Sequence, residues 1–258
     1  MSDATKGWLF EGGRWTDATS LPLTDRATRY GMAVFATIGV RDGTAQLLEK
    51  HTQLLSASAK NLLGVDFRFI TPPLDSADRG MLRVYVTGGD GGPADPVREP
   101  RIFALFESLS DNLPDFQTAR LHADSVTPFA HGAKTGNYWA QCTAQAGVRA
   151  GGFDHALLRD AGGRLLSGAM GNVFFVHKGT LCTPSLSLAV RPGVIRSWVM
   201  EQQPVQEVEF SADRLEEAAE IFLTNSRLGV MPLKIAGIGP GPVGCALRDR
   251  CRREKIIP

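Results

Sequence analysis

The chain has few cysteines and none in a paired arrangement. Cys142, Cys182, Cys245 and Cys251 are scattered along 258 residues without a C-x-x-C pair. This pattern is typical of free thiols in a reducing cytosol, and it argues against a disulfide framework or a zinc site. We therefore expect a cytoplasmic protein without a metal centre.

Excess charge and long apolar runs are also lacking. Lysine and arginine total 28 against 27 aspartates and glutamates, so no basic surface for nucleic acid is expected. No apolar run approaches the roughly 20 residues of a membrane span. The first ten residues, MSDATKGWLF, lack the basic and apolar regions of a signal peptide. We expect neither a nucleic-acid nor a membrane partner.

What the chain does have is apolar content of 43%, enough for a full core, and short strands alternating with helical patterns. Hairpin turns are predicted at Gly12-Gly13 and Asp42-Gly43. The pattern predicts an α+β or mixed α/β chain in two halves: an N-terminal α/β domain over 1–108, a polar interdomain linker over 109–117, and a C-terminal α/β domain over 118–258 that carries Lys134. The default site in such a chain is the cleft between the halves.

The first helix is predicted from about Glu49. Its expected buried face, at helical spacing, consists of Leu48, His51, Leu54, Leu55, Ser58 and Leu62. The last helix, CALRDRCRREK, is basic, and we expect it to be exposed.

One stretch, GPGPVG at 239–244, matches the G-x-G-x-x-G pattern of dinucleotide sites. Such a site needs a βαβ unit and an acidic residue about 20 residues further on. Only 14 residues follow Gly244, and two prolines interrupt the pattern. We therefore interpret it as a turn into the last helix.

The stretch HGAKTGNYWA places Lys134 between two glycines and before an aromatic pair. A nucleophilic lysine must be neutral when it attacks a carbonyl, and burial favours the neutral amine. Taken alone, a lysine beside glycine and threonine is more often a solvated turn residue. Both interpretations remain open on these residues.

Other polar groups occur where elements are predicted to begin or end. PGVIR places Ile195 and Arg196 at a helix N-terminus, which suits a phosphate but is also an ordinary proline-initiated helix start. Thr224 and Asn225 end a predicted strand, where they could bind a ligand or form a turn. Tyr30 lies between an arginine and a glycine, and on these residues alone it is expected to be a half-buried strand tyrosine.

Six segments resemble, in order, those of the class IV aminotransferases, the fold type IV pyridoxal phosphate enzymes. KTGNY is similar to the segment with their Schiff-base lysine. The other five segments are LTDRATRYGMAVFATI, LLEKHTQLLSASAKNLLG, LLSGAMGNVFFVHKGTLCTP, RPGVIRSWV and EIFLTNSRLGVMPL.

This resemblance implies a two-domain D-amino-acid aminotransferase-like fold, a homodimer, and pyridoxal phosphate attached to Lys134 in the interdomain cleft. It implies a small carboxylate or amino-acid-like substrate. TDRATRYG and TNSRLGVMPL are most similar to the 4-amino-4-deoxychorismate lyases, which eliminate pyruvate and leave 4-aminobenzoate for folate biosynthesis. The implied cofactor-binding residues are Ser167, Ile195, Arg196, Thr224 and Asn225, and the implied substrate-side residues are Tyr30, Arg83 and Asn172.

The chain departs from the family at several positions, three of which bear on cofactor or substrate binding. Leu54 stands where the family has an arginine for the cofactor phosphate, and Ser167 where it has a glutamate for the pyridine nitrogen. Relatives often carry an arginine where Gly88 stands. A site without pyridoxal phosphate would lose the first two groups together, because each is costly to bury without its partner ion.

Two alternatives to a pyridoxal phosphate-dependent lyase or aminotransferase therefore stay open. One is a cofactor-independent enzyme in which Lys134 acts as base or carboxylate anchor, with Tyr30 and Arg83. The other is a non-catalytic binding protein.

Overall fold

A computed structural model describes residues 5–109, 113–128 and 130–258. It has two units. The first unit comprises Met1–Asp111, Ala133–Asn137 and Ile256–Pro258, and the second comprises Asn112–Gly132 and Tyr138–Lys255. The segment with Lys134 thus belongs to the first unit, whereas the sequence assigned it to the C-terminal domain. Of the predicted linker 109–117, residues 110–112 lie outside the described residues.

The first unit is built on a six-stranded antiparallel sheet with the strand order β2-β1-β6-β5-β3-β4. Its elements, in chain order, are β1 (Thr5–Glu11), β2 (Arg14–Asp17), α1 (Arg26–Tyr30), β3 (Ala33–Arg41), β4 (Thr44–Ala45), α2 (Leu48–Leu63), β5 (Gly80–Thr87) and β6 (Ile102–Ser108).

The two predicted hairpin turns are confirmed. Gly12 and Gly13 have φ values of 58° and 79°, and Asp42 and Gly43 have 50° and 69°. Positive φ at both central residues matches the right-handed twist of the flanking strands. Helix α2 is also confirmed, but its buried stripe is His51, Leu55, Ala59 and Leu63. Leu62, expected on that face, is 40% exposed, because the helix packs along residues four apart.

The second unit contains an eight-stranded mixed sheet with the order β12-β11-β10-β13-β14-β7-β8-β9. Its elements are β7 (Gln117–Leu121), α3 (Trp139–Ala150), β8 (His155–Arg159), β9 (Leu165–Gly168), β10 (Asn172–His177), β11 (Thr180–Pro184), α4 (Val194–Gln202), β12 (Gln206–Val208), β13 (Glu220–Asn225), β14 (Gly229–Lys234) and α5 (Pro242–Arg253). Short 3₁₀ helices cover Ala130–Gly132, Leu186–Leu188 and Ala212–Glu217.

Strand β13 lies inside this sheet and presents two different faces. Ile221 and Leu223 point into the hydrophobic core. Residues two apart on a strand share a face, so Glu220, Phe222 and Thr224 lie together on the other side. Both α4 and α5 contact β13. The start of α5 lies on that second face, because a Cβ on Gly244 would come 3.0 Å from the Phe222 ring.

The two units together give the mixed α+β fold predicted from the sequence. The four cysteines are free thiols. The last helix is only partly exposed, since Gly244, Leu247 and Cys251 are buried. None of the helices in the described ranges is long and apolar enough to cross a membrane.

Candidate functional site

Lys134 lies along strand β3 of the first unit. The N–H of Phe35 donates to the Lys134 carbonyl at 2.8 Å, and the N–H of Gly136 donates to the Ala33 carbonyl at 2.9 Å. These bonds continue the ladder of β3 over one further segment and fix the backbone on both sides of Lys134. A lysine in a solvated turn would not be expected to make such strand-like hydrogen bonds.

The half-buried amine of Lys134 lies on the outer face of the first sheet. Its Nζ donates to Thr37 Oγ1 at 2.8 Å and lies 4.5 Å from the centroid of the Phe35 ring. Phe35 stacks on Tyr85, and Tyr85 stacks on Phe103, with centroids 5.0 and 4.5 Å apart. Burial raises the pKa of Tyr85, and the charge of nearby Arg83 offsets part of the rise. The amine therefore borders an apolar, aromatic surface.

Glycines allow the Lys134 segment to approach the end of α1. A Cβ on Gly136 would lie 2.7 Å from the Gly31 carbonyl oxygen. A Cβ on Gly31, whose φ is 68°, would lie 2.5 Å from Asn137 Oδ1. Gly136 in KTGNY and Gly31 after Tyr30 lie at this contact, and a side chain at either position would clash there.

The two substrate-side residues of the first unit have other contacts. Tyr30 ends helix α1 rather than lying in a strand, and the Arg29 guanidinium lies 4.8 Å from its ring centroid. Arg83 forms an ion pair with Glu107. The charge of Arg83 is therefore balanced within the first unit, and its role toward a substrate stays a prediction.

Arg26 explains the glycine at position 88. The Arg26 side chain is fully buried and donates to the backbone carbonyls of Gly88 and Gly89, among others. A Cβ on Gly88 would lie 3.2 Å from Arg26 Nε. A larger residue at 88 would crowd this buried guanidinium, so an arginine there would require the Arg26 side chain to shift.

Helix α4 of the second unit begins without a cap. Its N-cap residue, Gly193, has no side chain, and among the described residues no side chain accepts from the N–H groups of the first turn. Helix geometry leaves the N–H groups of Val194, Ile195 and Arg196 without an intrahelical acceptor. All three residues are buried. Buried N–H groups at a helix start suit an anion, because the helix dipole is positive there.

Thr224 and Asn172 lie on the same face of neighbouring strands. They are directly paired across β13 and β10, so their side chains project from one face. Asn172 Nδ2 donates to the Arg191 carbonyl at 2.8 Å, and a Cβ on Gly193 would lie 2.1 Å from Asn172 Oδ1. Asn172 thus ties this face to the start of α4.

The hydroxyl of Thr224 is buried and unsatisfied. The residue is 1% exposed, and its Oγ1 has no hydrogen-bond partner among the residues that the structure describes. Buried polar atoms of this kind are rare in native proteins, and a ligand oxygen would satisfy the hydroxyl.

The remaining predicted cofactor residues make structural contacts. Arg196 Nη2 lies 3.2 Å from Glu207 Oε2 and 3.4 Å from the Pro184 carbonyl, so its charge is compensated. Asn225 donates to the Met170 carbonyl and accepts from the N–H groups of Arg227 and Leu228, which shapes the turn after β13. Ser167 is half-buried in β9. Roles of these side chains toward a cofactor stay predictions.

The GPGPVG stretch leads into α5, as the sequence indicated, and its helix start is already occupied. Glu220 of β13 accepts from the N–H groups of Val243 at 3.1 Å and Gly244 at 2.9 Å. A Cβ on Gly241 would lie 2.5 Å from the Glu220 side chain. The glycines therefore leave room for the Glu220 carboxylate at the start of α5.

Sequence reasoning missed two neighbours of these sites. Thr37 contacts Lys134 across 97 positions, a distance that no local pattern reveals. Arg191 directly precedes Pro192-Gly193 and is half-buried beside Tyr138. Burial raises the pKa of Tyr138, and the charge of Arg191 offsets part of that rise. The arginine in RPGVIR was the signal that the sequence offered for this site. The sequence did not show that this arginine is half-buried.

The amino-transferase class IV family profile matches residues 33–235, which include every predicted site residue except Tyr30. The chain belongs to this family.

Two relatives are equally similar to the chain in sequence. A putative branched-chain-amino-acid aminotransferase of Methanocaldococcus jannaschii is 25% identical, over 87% of this chain and 86% of its own length. An aminodeoxychorismate lyase of Vibrio harveyi is also 25% identical, over 83% and 87%. These identities alone do not distinguish the two reactions.

One solved structure shows the shared fold. The branched-chain amino acid aminotransferase of T.th., solved with pyridoxamine 5'-phosphate, superposes with a TM-score of 0.82 at 22% identity, covering 97% of this chain and 93% of that one. The fold of the chain is therefore that of this aminotransferase.

The second unit fits a phosphate-bearing ligand. The unsatisfied Thr224 hydroxyl and the uncapped start of α4 offer hydrogen-bond donors to phosphate oxygens. Among the described residues, no group of three histidine, cysteine, aspartate or glutamate side chains could hold a metal ion.

Proposed function

We propose that the protein is a pyridoxal phosphate-dependent enzyme of class IV. The observation that carries the proposal is the buried, unsatisfied hydroxyl of Thr224 beside the uncapped start of α4. The α4 amides and Thr224 would hold the cofactor phosphate. When bound, pyridoxal phosphate supplies an aldehyde that reacts with amines and a ring that withdraws electrons.

Lys134 would supply the amine that holds the cofactor, and it would move a proton at the substrate α-carbon. Thr37 accepts a hydrogen bond from Nζ, which orients the amine on the face of the first sheet. The adjacent Phe35 ring covers one side of the amine.

The finer proposal is an aminodeoxychorismate lyase-like reaction. The TDRATRYG and TNSRLGVMPL segments and the Vibrio harveyi relative support it. In that reaction 4-amino-4-deoxychorismate splits into 4-aminobenzoate and pyruvate without a second substrate. One base that removes and returns protons is sufficient for this elimination, and Lys134 can be that base.

The test is to supply the purified, cofactor-loaded protein with two alternative substrates. We expect 4-amino-4-deoxychorismate to give equal amounts of 4-aminobenzoate and pyruvate, measured by chromatography. Amino transfer from L-leucine to 2-oxoglutarate instead would identify a transaminase. Lys134→Ala should abolish either activity, while Lys234→Ala, at an exposed lysine of β14, should not. Full activity of Lys134→Ala would contradict the assigned role.

A second candidate, a cofactor-independent enzyme, is favoured by Leu54 and Ser167. These residues lack the charged groups with which the family binds the phosphate and the pyridine nitrogen. This candidate predicts turnover by a colourless protein that Lys134→Ala abolishes. The first candidate predicts no turnover of either substrate before pyridoxal phosphate is added.

We also propose a homodimer, as the family resemblance implies. Trp139, at the start of α3, is 85% exposed, which is unusual for so large an apolar side chain. Sedimentation equilibrium should give twice the mass of 27.8 kDa. A monomer at micromolar concentration would contradict the proposal.

A further inference from the structure

The phosphate site proposed for α4 lacks an identified cation. A phosphate monoester carries about −1.5 to −2 charges at pH 7. Amides and a hydroxyl donate hydrogen bonds, but a cation contributes more through charge-assisted bonds. The arginine that serves this purpose in the family is Leu54 here.

Arg196 does not fill this gap, although it lies in the first turn of α4. Its guanidinium is paired with Glu207 and also donates to the Pro184 carbonyl. Moving it to a ligand would leave Glu207, which accepts from the Leu186 N–H, without its counter-ion. Because the Arg196 side chain is only 4% exposed, its guanidinium is already held by these contacts within the second unit.

Arg191 occupies the right place in the chain. Its carbonyl accepts from Asn172 Nδ2 at 2.8 Å and from the Gly193 N–H at 2.9 Å. Asn172 is paired with Thr224. The backbone of Arg191 is therefore fixed against the same two elements that present the Thr224 hydroxyl and the α4 amides.

The described residues provide no counter-ion for Arg191. Its side chain is half-buried, and within the described ranges no carboxylate lies within ion-pair distance of its guanidinium. Burial lowers the pKa of Arg191, and the Tyr138 phenol offsets only part of this. A partly desolvated cation without a counter-ion is costly, and a bound anion would remove that cost.

We infer that Arg191 is the cation that binds the phosphate group at the start of α4, in place of the family arginine replaced by Leu54. The inference rests on the proposed phosphate site. It also explains how the chain could lose an arginine from α2 without losing a phosphate ligand, because an arginine adjoining α4 supplies the charge.

The experiment compares two ligands that differ only in the phosphate group. Pyridoxine 5'-phosphate and pyridoxine have no aldehyde, so their affinities, measured by calorimetry on the cofactor-free full chain, are independent of Lys134 chemistry. The variants are Arg191→Met and Arg191→Gln, which remove the charge. The control is Arg149→Gln, at an exposed arginine near the end of α3.

We expect the wild type to prefer pyridoxine 5'-phosphate, and both Arg191 variants to bind it about tenfold or more weakly. Their affinity for pyridoxine should stay within about twofold, because only the charge-assisted phosphate contact is lost. Arg149→Gln should match the wild type for both ligands. Circular dichroism of each variant reports on folding, and either folded Arg191 variant is sufficient for the comparison.

Two outcomes would overturn the inference in different ways. Arg191 variants that keep the wild-type preference, or lose affinity for both ligands equally, would reject Arg191 while leaving the phosphate site in place. A wild type with no preference for the phosphate-bearing ligand would reject the inference and the proposed cofactor site together.

Discussion

Two helices of the second unit begin on the same side of β13, and they differ in what satisfies their first turns. At α5, Glu220 accepts from two main-chain N–H groups. At α4, Gly193 provides no cap, and the neighbouring Thr224 hydroxyl has no partner in the described part of the chain. Glu220 and Thr224 are four residues apart on one strand.

If the proposed phosphate site is correct, this difference separates a structural helix start, at α5, from a ligand-binding one, at α4. A helix N-terminus attracts an anion wherever it occurs, so proline and glycine before a helix do not identify a ligand site. At α5 the fold supplies the anion itself. At α4, the buried Thr224 hydroxyl has no partner among the described residues, and buried polar groups of this kind are rare in native proteins.

The largest effects are expected from adding a methyl group at each helix start. Gly193→Ala places a Cβ against Asn172, so the start of α4 must shift, and affinity for pyridoxine 5'-phosphate should fall about 100-fold. Gly241→Ala places a Cβ against Glu220, which should lower the free energy of unfolding by about 1–3 kcal/mol. Calorimetry and urea unfolding measure the two effects.

Gly239→Ala is the matched control, because nothing lies within 4 Å of its Cβ position. It should change neither affinity nor stability. If Gly241→Ala weakened ligand binding as much as Gly193→Ala, the distinction between the two helix starts would be lost.

Removing the internal cap should affect stability alone. Glu220→Gln keeps the shape of the side chain but removes the charge that accepts two N–H groups, so the free energy of unfolding should fall by about 2 kcal/mol. The exposed Glu216 gives the control Glu216→Gln, which should have no effect. Urea unfolding provides the measurement, and an unchanged midpoint for Glu220→Gln would show that the cap contributes nothing.

Replacing either of two buried threonines by valine should change the stability of the ligand-free protein, but in opposite directions. Thr224→Val should stabilise the ligand-free protein by about 1 kcal/mol, because it removes an unsatisfied buried hydroxyl, yet weaken pyridoxine 5'-phosphate binding. Thr183→Val should destabilise by about 1 kcal/mol, because Thr183 Oγ1 donates to the Val173 carbonyl at 2.8 Å. Thermal unfolding without ligand should therefore give shifts of opposite sign. A Thr224→Val protein that is less stable would indicate that the hydroxyl has a partner.

A last prediction concerns pH and defines the pH range in which the two helix starts should be compared. Burial of His155 lowers its pKa from 6.5 to about 4, and nearby Asp154 opposes the shift only in part. Below pH 6.5 the unfolded state therefore takes up a proton that the folded state does not. Stability should be level above pH 6.5 and fall between pH 6.5 and 4. His155→Gln should flatten that decline, and an unchanged pH profile would assign the decline to other groups.

The sequence predicted most elements but few of the contacts that give them chemistry. The hairpins and the starts of α2 and α4 follow from glycine, proline and apolar spacing, which act locally. The contact of Thr37 with Lys134, the cap from Glu220 and the partner of Arg196 depend on strands distant in sequence, so no local pattern encodes them. The predicted buried face of α2 was wrong at Leu62. Ala59 is fully buried instead, but an alanine is too small to stand out in a pattern of apolar residues.

The resemblance to class IV aminotransferases predicted Lys134, Thr224 and the start of α4 as parts of a site, but it could not say what replaces the arginine at Leu54. Arg191 lies in the RPGVIR segment, which was interpreted as a helix start from its backbone. The Arg191 side chain was not among the predicted site residues. Burial without a counter-ion is a property of the folded chain, which explains why only the structure points to it.

The most direct test of the account is the absorption spectrum of the protein titrated with pyridoxal phosphate. The wild type should gain a visible band that saturates, Lys134→Ala should gain none, and Thr224→Val should need a higher concentration to reach the same band. A wild type that stays colourless at excess pyridoxal phosphate would contradict the account.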